Sequence, residues 1–129
     1  MKIGKKSLRT PDYLKHIIDA IQQIEAYTAD MMLEAFMEGR LTLDAVVRNI
    51  EIVGEAARNI TEHDPLFAAE HPEIPWDAMY TMRNRLSHGY FSVDARVVWQ
   101  TVQQDLPELK HQIRALLHPT PTPKNYYPD

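Results

Sequence analysis

Residues 42–63 read TLDAVVRNIEIVGEAARNITEH, and this stretch decides the fold class. Its apolar residues recur at alternating steps of three and four, at Leu43, Val46, Ile50, Val53, Ala57 and Ile60. That spacing places one apolar stripe along an α-helix. We therefore predict a long packed helix that begins with Thr42 as its N-cap and ends near His63, before the helix-breaking pair Asp64-Pro65.

A similar apolar stripe precedes this helix in the chain. It comprises Leu14, Ile17, Ile21, Ile24, Thr28, Met31 and Ala35. Thr10 before Pro11 is typical of a helix start and Gly39 of a helix stop, so a first helix is predicted over residues 10–39. In the second helix Gly54 has no side chain, so we expect a neighbouring backbone to approach it closely.

The rest of the chain alternates turn signals with two further helical patterns. Residues 64–74 are predicted as a loop, and a third, shorter helix as Trp76 to about His88, stopped by Gly89. A fourth helix is capped by Ser92, and its predicted core positions are Val93, Val97, Val102, Leu109, Ile113 and Leu116. Pro107 is expected to kink or divide it. No strand pattern occurs, and the fold class is predicted as an all-α, up-down bundle of four to five helices.

Composition limits the possible functions. The helical domain is predicted over residues 10–118, between a basic extension, 1–9, and a proline-rich tail, 119–129, that forms an extended arm or a strap on a partner. A net charge of −4 disfavours a protein that coats polyanions through its whole surface. The absence of cysteine excludes disulfides, zinc–thiolate sites and cysteine nucleophiles. With neither a signal peptide nor a membrane span, a cytoplasmic protein is expected.

Polar and basic residues concentrate at the end of the third helix. Arg83, Asn84, Arg85, Ser87, His88 and Tyr90 fall within eight residues. Asn84 and His88 are four apart and share a face, whereas Arg83 and His88 are five apart and need not meet. Imidazole can move a proton and guanidinium can hold a phosphate, which suits attack on RNA by its own 2′-hydroxyl. One chain supplies one such histidine, so a dimer mate would complete the site.

Simpler explanations stay open on spacing alone. Cations in the last turn of a helix complement its dipole, and this explanation is favoured over catalysis before any resemblance is considered. The remaining histidines lack ligand spacing, so no metal site is predicted. Trp76, Tyr80 and Phe91 are interpreted as core or interface packing residues, with platforms for base stacking as the alternative. Glu51 and Glu55, flanked by Arg48 and Arg58, are interpreted as a solvated or ion-paired face.

The segment from Arg83 to His88 resembles HEPN-domain proteins, whose hallmark is an arginine, four to six residues and a histidine. The gap here is four, with the polar Asn84 second, and the extension to Tyr90 matches the Arg-x₄-His-x-Tyr form of the HepT-like toxin family. The resemblance also covers IVGEAA at 52–57, IPW at 74–76 and DLP at 105–107. It spans roughly residues 10–117, almost the whole predicted domain.

The resemblance implies a HEPN-like bundle and a metal-independent endoribonuclease toxin of a type VII-like toxin–antitoxin system, without a cofactor. It implies a homodimer with the motifs facing a cleft, an RNA substrate, and an MntA-type minimal nucleotidyltransferase as antitoxin, with no DNA or membrane partner. Arg83 and His88 would be catalytic, Asn84 supporting, and Tyr90 the AMPylation site. An AMP group on Tyr90 would place bulk and negative charge beside His88 and block an RNA phosphate.

Two other functions remain as alternatives. The chain could be a non-catalytic accessory or nucleotide-binding subunit of a nucleotidyltransferase, which would bind its partner tightly without toxicity of its own. It could also be a dimerisation module whose arginines only stabilise a helix end.

Overall fold

The computed structural model describes residues 9–88 and 93–118, with the backbone alone for Ser87 and His88. Within these ranges every regular element is helical, which confirms the all-α prediction. The elements are α1 Thr10–Thr28, α2 Leu33–Glu38, α3 Arg40–His63, α4 Pro65–Glu70, α5 Trp76–His88, α6 Ala95–Gln100, a π-helical segment Thr101–Asp105, and α7 Leu106–Leu117. The predictions for Gly89, Tyr90, Phe91, Ser92, residues 1–8 and the tail 119–129 lie outside the described residues.

The long helices run up and down against one another. Thr10 Oγ1, at the start of α1, donates to Asp64 Oδ2, just after the end of α3, at 2.6 Å, so α1 and α3 are antiparallel. Helix α5 packs on α3 and α7 packs on α1. Lys110 Nζ on α7 donates to Glu25 Oε1 on α1 at 2.8 Å. Helix α3 therefore lies between α1 and α5 at the centre of the bundle.

The core follows the two predicted apolar stripes. On α1 the buried members are Leu14, Ile17, Ile21, Ile24 and Thr28, and on α3 they are Val46, Ile50, Val53, Ala57 and Ile60. Ile74, Trp76 and Met79 cover α3 from the side of α5, and Leu106, Leu109 and Ile113 complete the core from α7. Burial of these apolar side chains is the main stabilising contribution, at about 25 cal/mol per Å² removed from water.

The first helix is shorter than predicted. It ends at Thr28 rather than Gly39, because Asp30 adopts a left-handed conformation with φ 63°. Aspartate tolerates that region better than most residues do, so the chain turns there without a glycine. The break resets the helical register: Phe36 rather than Ala35 enters the core, and its ring centroid lies 5.1 Å from that of Trp99, with the rings tilted by 44°.

The predicted loop over residues 64–74 also needs correction. Pro65 to Glu70 form the short helix α4, with proline in its first turn, where the missing N–H has no helical partner to lose. The indole Nε1 of Trp76 donates to the carbonyls of Ala68 at 3.2 Å and His71 at 3.1 Å, which ties α4 to α5. Helix α3 ends at His63 as predicted but begins at Arg40, two residues before Thr42.

The fourth predicted helix is divided, as Pro107 suggests. The π-helical segment directly precedes α7, and Pro107 occupies the first turn of α7. At the other end, Asp94 is the N-cap of α6 and accepts from the backbone N–H of Arg96 at 3.0 Å. The prediction counted a helical step of four from Val93 to Val97, but Val93 precedes α6, which starts at Ala95. The predicted core position Val97 is therefore wrong: Val97 is 39% exposed, and Val98 is buried instead.

None of the helices within 9–88 and 93–118 combines the length and the apolar character that crossing a membrane requires.

Candidate active site

Arg83 is placed by a close contact between α5 and α3. A Cβ added to Gly54 would lie 2.2 Å from Arg83 Cβ and 2.7 Å from the carbonyl oxygen of Met79. Real Cβ atoms do not approach so closely, so only glycine permits this packing of α5 on α3. The expected close approach at Gly54 is confirmed, and the backbone that it brings near carries Arg83.

The guanidinium of Arg83 lies partly inside this contact. Its side chain is 29% exposed, and Nη2 is 3.5 Å from Glu55 Oε1, one residue beyond Gly54. Its Nε is buried without a hydrogen-bond partner among the residues that the structure describes. A buried donor left unpaired costs about 1–3 kcal/mol, and such groups are rare in folded proteins. The packing thus fixes the Arg83 guanidinium and leaves its Nε donor without a partner among the described residues.

A second arginine lies next to it around Tyr80. The Cζ of Arg58 is 4.7 Å from the centroid of the Tyr80 ring, and the Cζ of Arg83 is 5.9 Å from the same centroid. Arg58 Nη1 donates to the Tyr80 hydroxyl, and Arg58 Nε donates to Glu62 Oε2 at 2.7 Å. The hydrogen bond and the negative charge of Glu62 raise the pKa of Arg58 above its ordinary value, and Tyr80 adds to the effect.

The predicted ion-paired face of α3 is present, but its glutamates do not all pair with arginines of the same helix. Arg48 Nη1 lies 3.6 Å from Glu51 Oε1 within the helix. Glu55 instead pairs with Arg83 across the helix contact, and Arg58 pairs with Glu62.

The sequence interpretation missed Arg58 and Tyr80 as neighbours of Arg83. The available signal was their spacing: Arg58 lies one turn after Gly54 on α3, and Tyr80 lies three residues before Arg83 on α5. Trp76, in contrast, is a core residue, as predicted.

The other predicted site residues lie around the end of α5. Asn84 and Arg85 are exposed, and the backbone of His88 forms the last turn of the helix. Helical spacing puts Asn84 and His88 on one face. The catalytic roles of Arg83 and His88 remain predictions, and Tyr90 lies outside the described residues.

The remaining histidines are scattered. His16, His63, His111 and His118 are exposed, and the Nδ1 of His71 is 3.2 Å from Glu73 Oε2. Across the described ranges, no three histidine, aspartate or glutamate side chains are grouped so that they could hold a metal ion.

A cleft of about 460 Å³ opens between α5 and α7. Its floor is apolar and includes Val53, Met79 and Leu109, whereas Glu73, Asp105 and Glu108 supply carboxylates to its lining. Negative charge without a described cation disfavours a phosphate there, whereas the two guanidinium groups of Arg58 and Arg83 beside Tyr80 make that side of α5 the better candidate for a nucleic acid.

Comparison with known proteins identifies the family. The family model described as Ribonuclease HepT-like matches residues 17–116. A protein of Thermococcus cleftensis named "Probable ribonuclease HepT" is 46% identical over 105 residues, which cover 81% of this chain and 93% of that protein. A protein of Caldanaerobacter subterraneus named "Putative RNase" is 32% identical over 85% of this chain and 96% of its own length.

A longer relative also matches. A Methanocaldococcus jannaschii protein named "Gamma-glutamylcyclotransferase and putative RNase" is 37% identical over 88% of this chain, and the match covers 50% of that protein. No solved structure matches the chain significantly. With a helical bundle over the matched region and a family match from residue 17 to residue 116, the chain belongs to the HepT-like ribonuclease family and is an endoribonuclease.

Proposed function

We propose that this endoribonuclease is the toxin of a toxin–antitoxin pair, and that it cuts cellular RNA without a metal through Arg83 and His88. The observation that carries the proposal is the state of Arg83. Gly54 holds its backbone against α3, and its buried Nε has no partner among the described residues. An arginine fixed in this way is suited to hold an anion in one orientation.

In the proposed reaction the RNA 2′-oxygen attacks the adjacent phosphorus while the bond from phosphorus to the 5′-oxygen breaks. The products are a 2′,3′-cyclic phosphate and a free 5′-hydroxyl. Arg83 holds the non-bridging phosphate oxygens and stabilises the negative charge that grows on them in the transition state. His88 takes the 2′-proton or donates a proton to the leaving oxygen, since imidazole titrates near neutral pH. Asn84 orients His88 from one turn away.

The reaction requires one group that removes a proton and another that supplies one. Each chain carries one motif histidine, so we place the working site at the interface of a homodimer, where the two motifs face each other. No cofactor is needed for this chemistry.

Under the same proposal, modification of Tyr90 inhibits RNA cleavage. A nucleotidyltransferase antitoxin would activate the Tyr90 hydroxyl to attack the α-phosphorus of ATP, forming a phosphodiester to AMP and releasing pyrophosphate. Tyr90 is two residues from His88, so the added phosphate would repel RNA at the reacting position. The support is the Arg-x₄-His-x-Tyr spacing of the motif.

The test is cleavage of cellular RNA by purified protein in the presence of a chelator. Arg83→Ala and His88→Ala are each expected to lower the cleavage rate by about 10²–10³-fold or more, because each removes a group that acts on the transition state. Circular dichroism should show an unchanged helical fold. Arg40→Ala is the matched control: it removes an exposed arginine paired with Asp44 at 3.2 Å, and cleavage should persist.

Two outcomes would contradict the proposal. One is the absence of RNA cleavage by the unaltered protein under chelation, and the other is full cleavage by His88→Ala. Tight binding to a nucleotidyltransferase together with no toxicity would then favour the accessory-subunit function.

A further inference from the structure

Arg58 is a surface residue whose guanidinium is nevertheless held from two sides. Its side chain is 47% exposed, Nε donates to Glu62, and Nη1 donates to the Tyr80 hydroxyl. An arginine has five N–H donors arranged in a rigid fork. The described hydrogen bonds of Arg58 use Nε and Nη1, so Nη2 is the arm of the fork that can donate to an anion from solvent.

This fork lies beside the predicted catalytic arginine. Arg58 Cζ and Arg83 Cζ are 4.7 Å and 5.9 Å from the same Tyr80 centroid. The two guanidinium carbons are therefore less than about 11 Å apart, the sum of these two distances. A single RNA strand carries a phosphate at every nucleotide, so a strand held at Arg83 has further phosphates within reach of Arg58.

Preorganisation favours binding over a purely structural role. A free arginine loses side-chain entropy when it binds, whereas Arg58 is already ordered by Glu62 and Tyr80 in the folded protein. An exposed ion pair contributes little to stability, with a median of about 0–1 kcal/mol, so the pair with Glu62 is weakly explained by stability alone. The guanidinium of Arg58 is charged wherever RNA binding would be measured, because arginine does not lose its proton in proteins.

From this geometry we propose that Arg58, oriented by Tyr80 and Glu62, is a second phosphate-binding residue that takes an RNA phosphate neighbouring the one held by Arg83. The proposal rests on the proposed RNA cleavage. It makes Arg58 a substrate-binding residue and Tyr80 a positioning residue, and it directs the RNA strand along the contact between α3 and α5.

The binding test uses a 2′-O-methyl RNA oligonucleotide, which lacks the attacking hydroxyl and is not cut. Affinity is measured over a range of salt concentrations, since the logarithm of the binding constant falls with the logarithm of salt in proportion to the phosphates contacted. Arg58→Ala should weaken binding about tenfold and reduce the magnitude of the salt slope by about one. Arg58→Gln, which keeps most of the side-chain stem, should behave in the same way.

Two further variants distinguish the loss of the orientation of Arg58 from the loss of its positive charge. Tyr80→Phe removes the oxygen that holds Arg58 but retains both arginines, so binding should weaken severalfold with an unchanged salt slope. Arg48→Ala is the matched control on α3, because it removes another exposed arginine paired with a glutamate, Glu51. It should leave affinity and slope unchanged. With cleavable RNA, Arg58→Ala should raise KM more than it lowers kcat.

The results also separate this inference from the proposed function. If the unaltered protein binds and cleaves RNA while Arg58→Ala and Arg58→Gln keep its affinity and salt slope, the second phosphate site is overturned and the catalytic proposal stands. If the unaltered protein neither binds the 2′-O-methyl RNA nor cleaves unmodified RNA, both proposals fail.

Discussion

Arg83 has its backbone held by Gly54, its Nη2 near Glu55, and its guanidinium near the Tyr80 ring. Each contact limits a different part of the side chain, from Cβ to the end of the fork. Lysine could keep the positive charge but not the planar, two-armed geometry that matches a phosphate. The residue-level picture is thus an arginine whose position is set by the fold before any substrate binds.

At the same scale, the proposed regulation makes a prediction about Tyr90. After co-expression with a cognate minimal nucleotidyltransferase, intact mass spectrometry should show addition of AMP groups to this protein. Tyr90→Phe should remove the additions and leave RNA cleavage active, because the acceptor hydroxyl is gone while Arg83 and His88 remain. Tyr80→Phe, another tyrosine of the same region, should retain the additions. Persistence of the additions in Tyr90→Phe would place the modification elsewhere.

Among the elements, the pair α3 and α5 builds the site. Helix α3 contributes Gly54, Glu55 and Arg58 along one side, and α5 contributes Tyr80 and Arg83. The two helices can pack this closely only because Gly54 has no side chain at the point of contact. Their packing therefore couples the stability of the bundle to the geometry of the site.

Gly54→Ala tests this coupling. The added methyl group would overlap Arg83 Cβ and the Met79 carbonyl, so α5 must shift. We expect the free energy of unfolding to fall by about 1–3 kcal/mol. We also expect RNA cleavage to fall by more than the loss of folded protein accounts for. Urea denaturation and cleavage of the folded fraction measure the two effects.

Gly39→Ala is the control for that variant. There the nearest atom to an added Cβ is the carbonyl oxygen of Ala35 at 3.1 Å, and φ is −93°, which alanine adopts readily. It should change stability less than Gly54→Ala does and leave cleavage intact. Equal effects of the two substitutions would show that the contact at Gly54 has no special role.

For the whole molecule, the bundle buries its core within one chain, since both apolar stripes of α1 and α3 are covered by its own helices. The core of the described residues is thus formed by one chain, whereas the proposed chemistry requires two, because it needs two proton-transfer groups. The monomer would be folded but inactive.

Dilution tests this separation. As the protein is diluted through the dissociation constant of the homodimer, RNA cleavage per chain should fall while the helical circular dichroism signal per chain stays constant. Sedimentation over the same concentrations should show the change from dimer to monomer. Cleavage per chain that remains constant for a species that sediments as a monomer would contradict the shared site.

The parts of the fold that could be predicted from sequence depend on neighbours along the chain. The apolar period predicts α1 and α3, Thr10-Pro11 marks the start of α1, and Asp64-Pro65 marks the end of α3, because helices form from local hydrogen bonds and one buried face. The break at Asp30 could not be predicted, since no glycine or proline marks it. The break brings Phe36 against Trp99, 63 residues later, and sequence neighbours alone do not specify that contact.

The same division applies to the candidate site. The sequence by itself indicated Arg83 and His88 as candidates, through the resemblance of their motif to HEPN-domain proteins rather than through spacing alone, and it indicated the close approach at Gly54. Only the tertiary structure decided which residues surround Arg83. Arg58 and Tyr80 are 22 residues apart, and their contact exists because α5 packs back against α3. Helical periodicity specifies the face of each helix, but the pairing of faces is a property of the packed bundle.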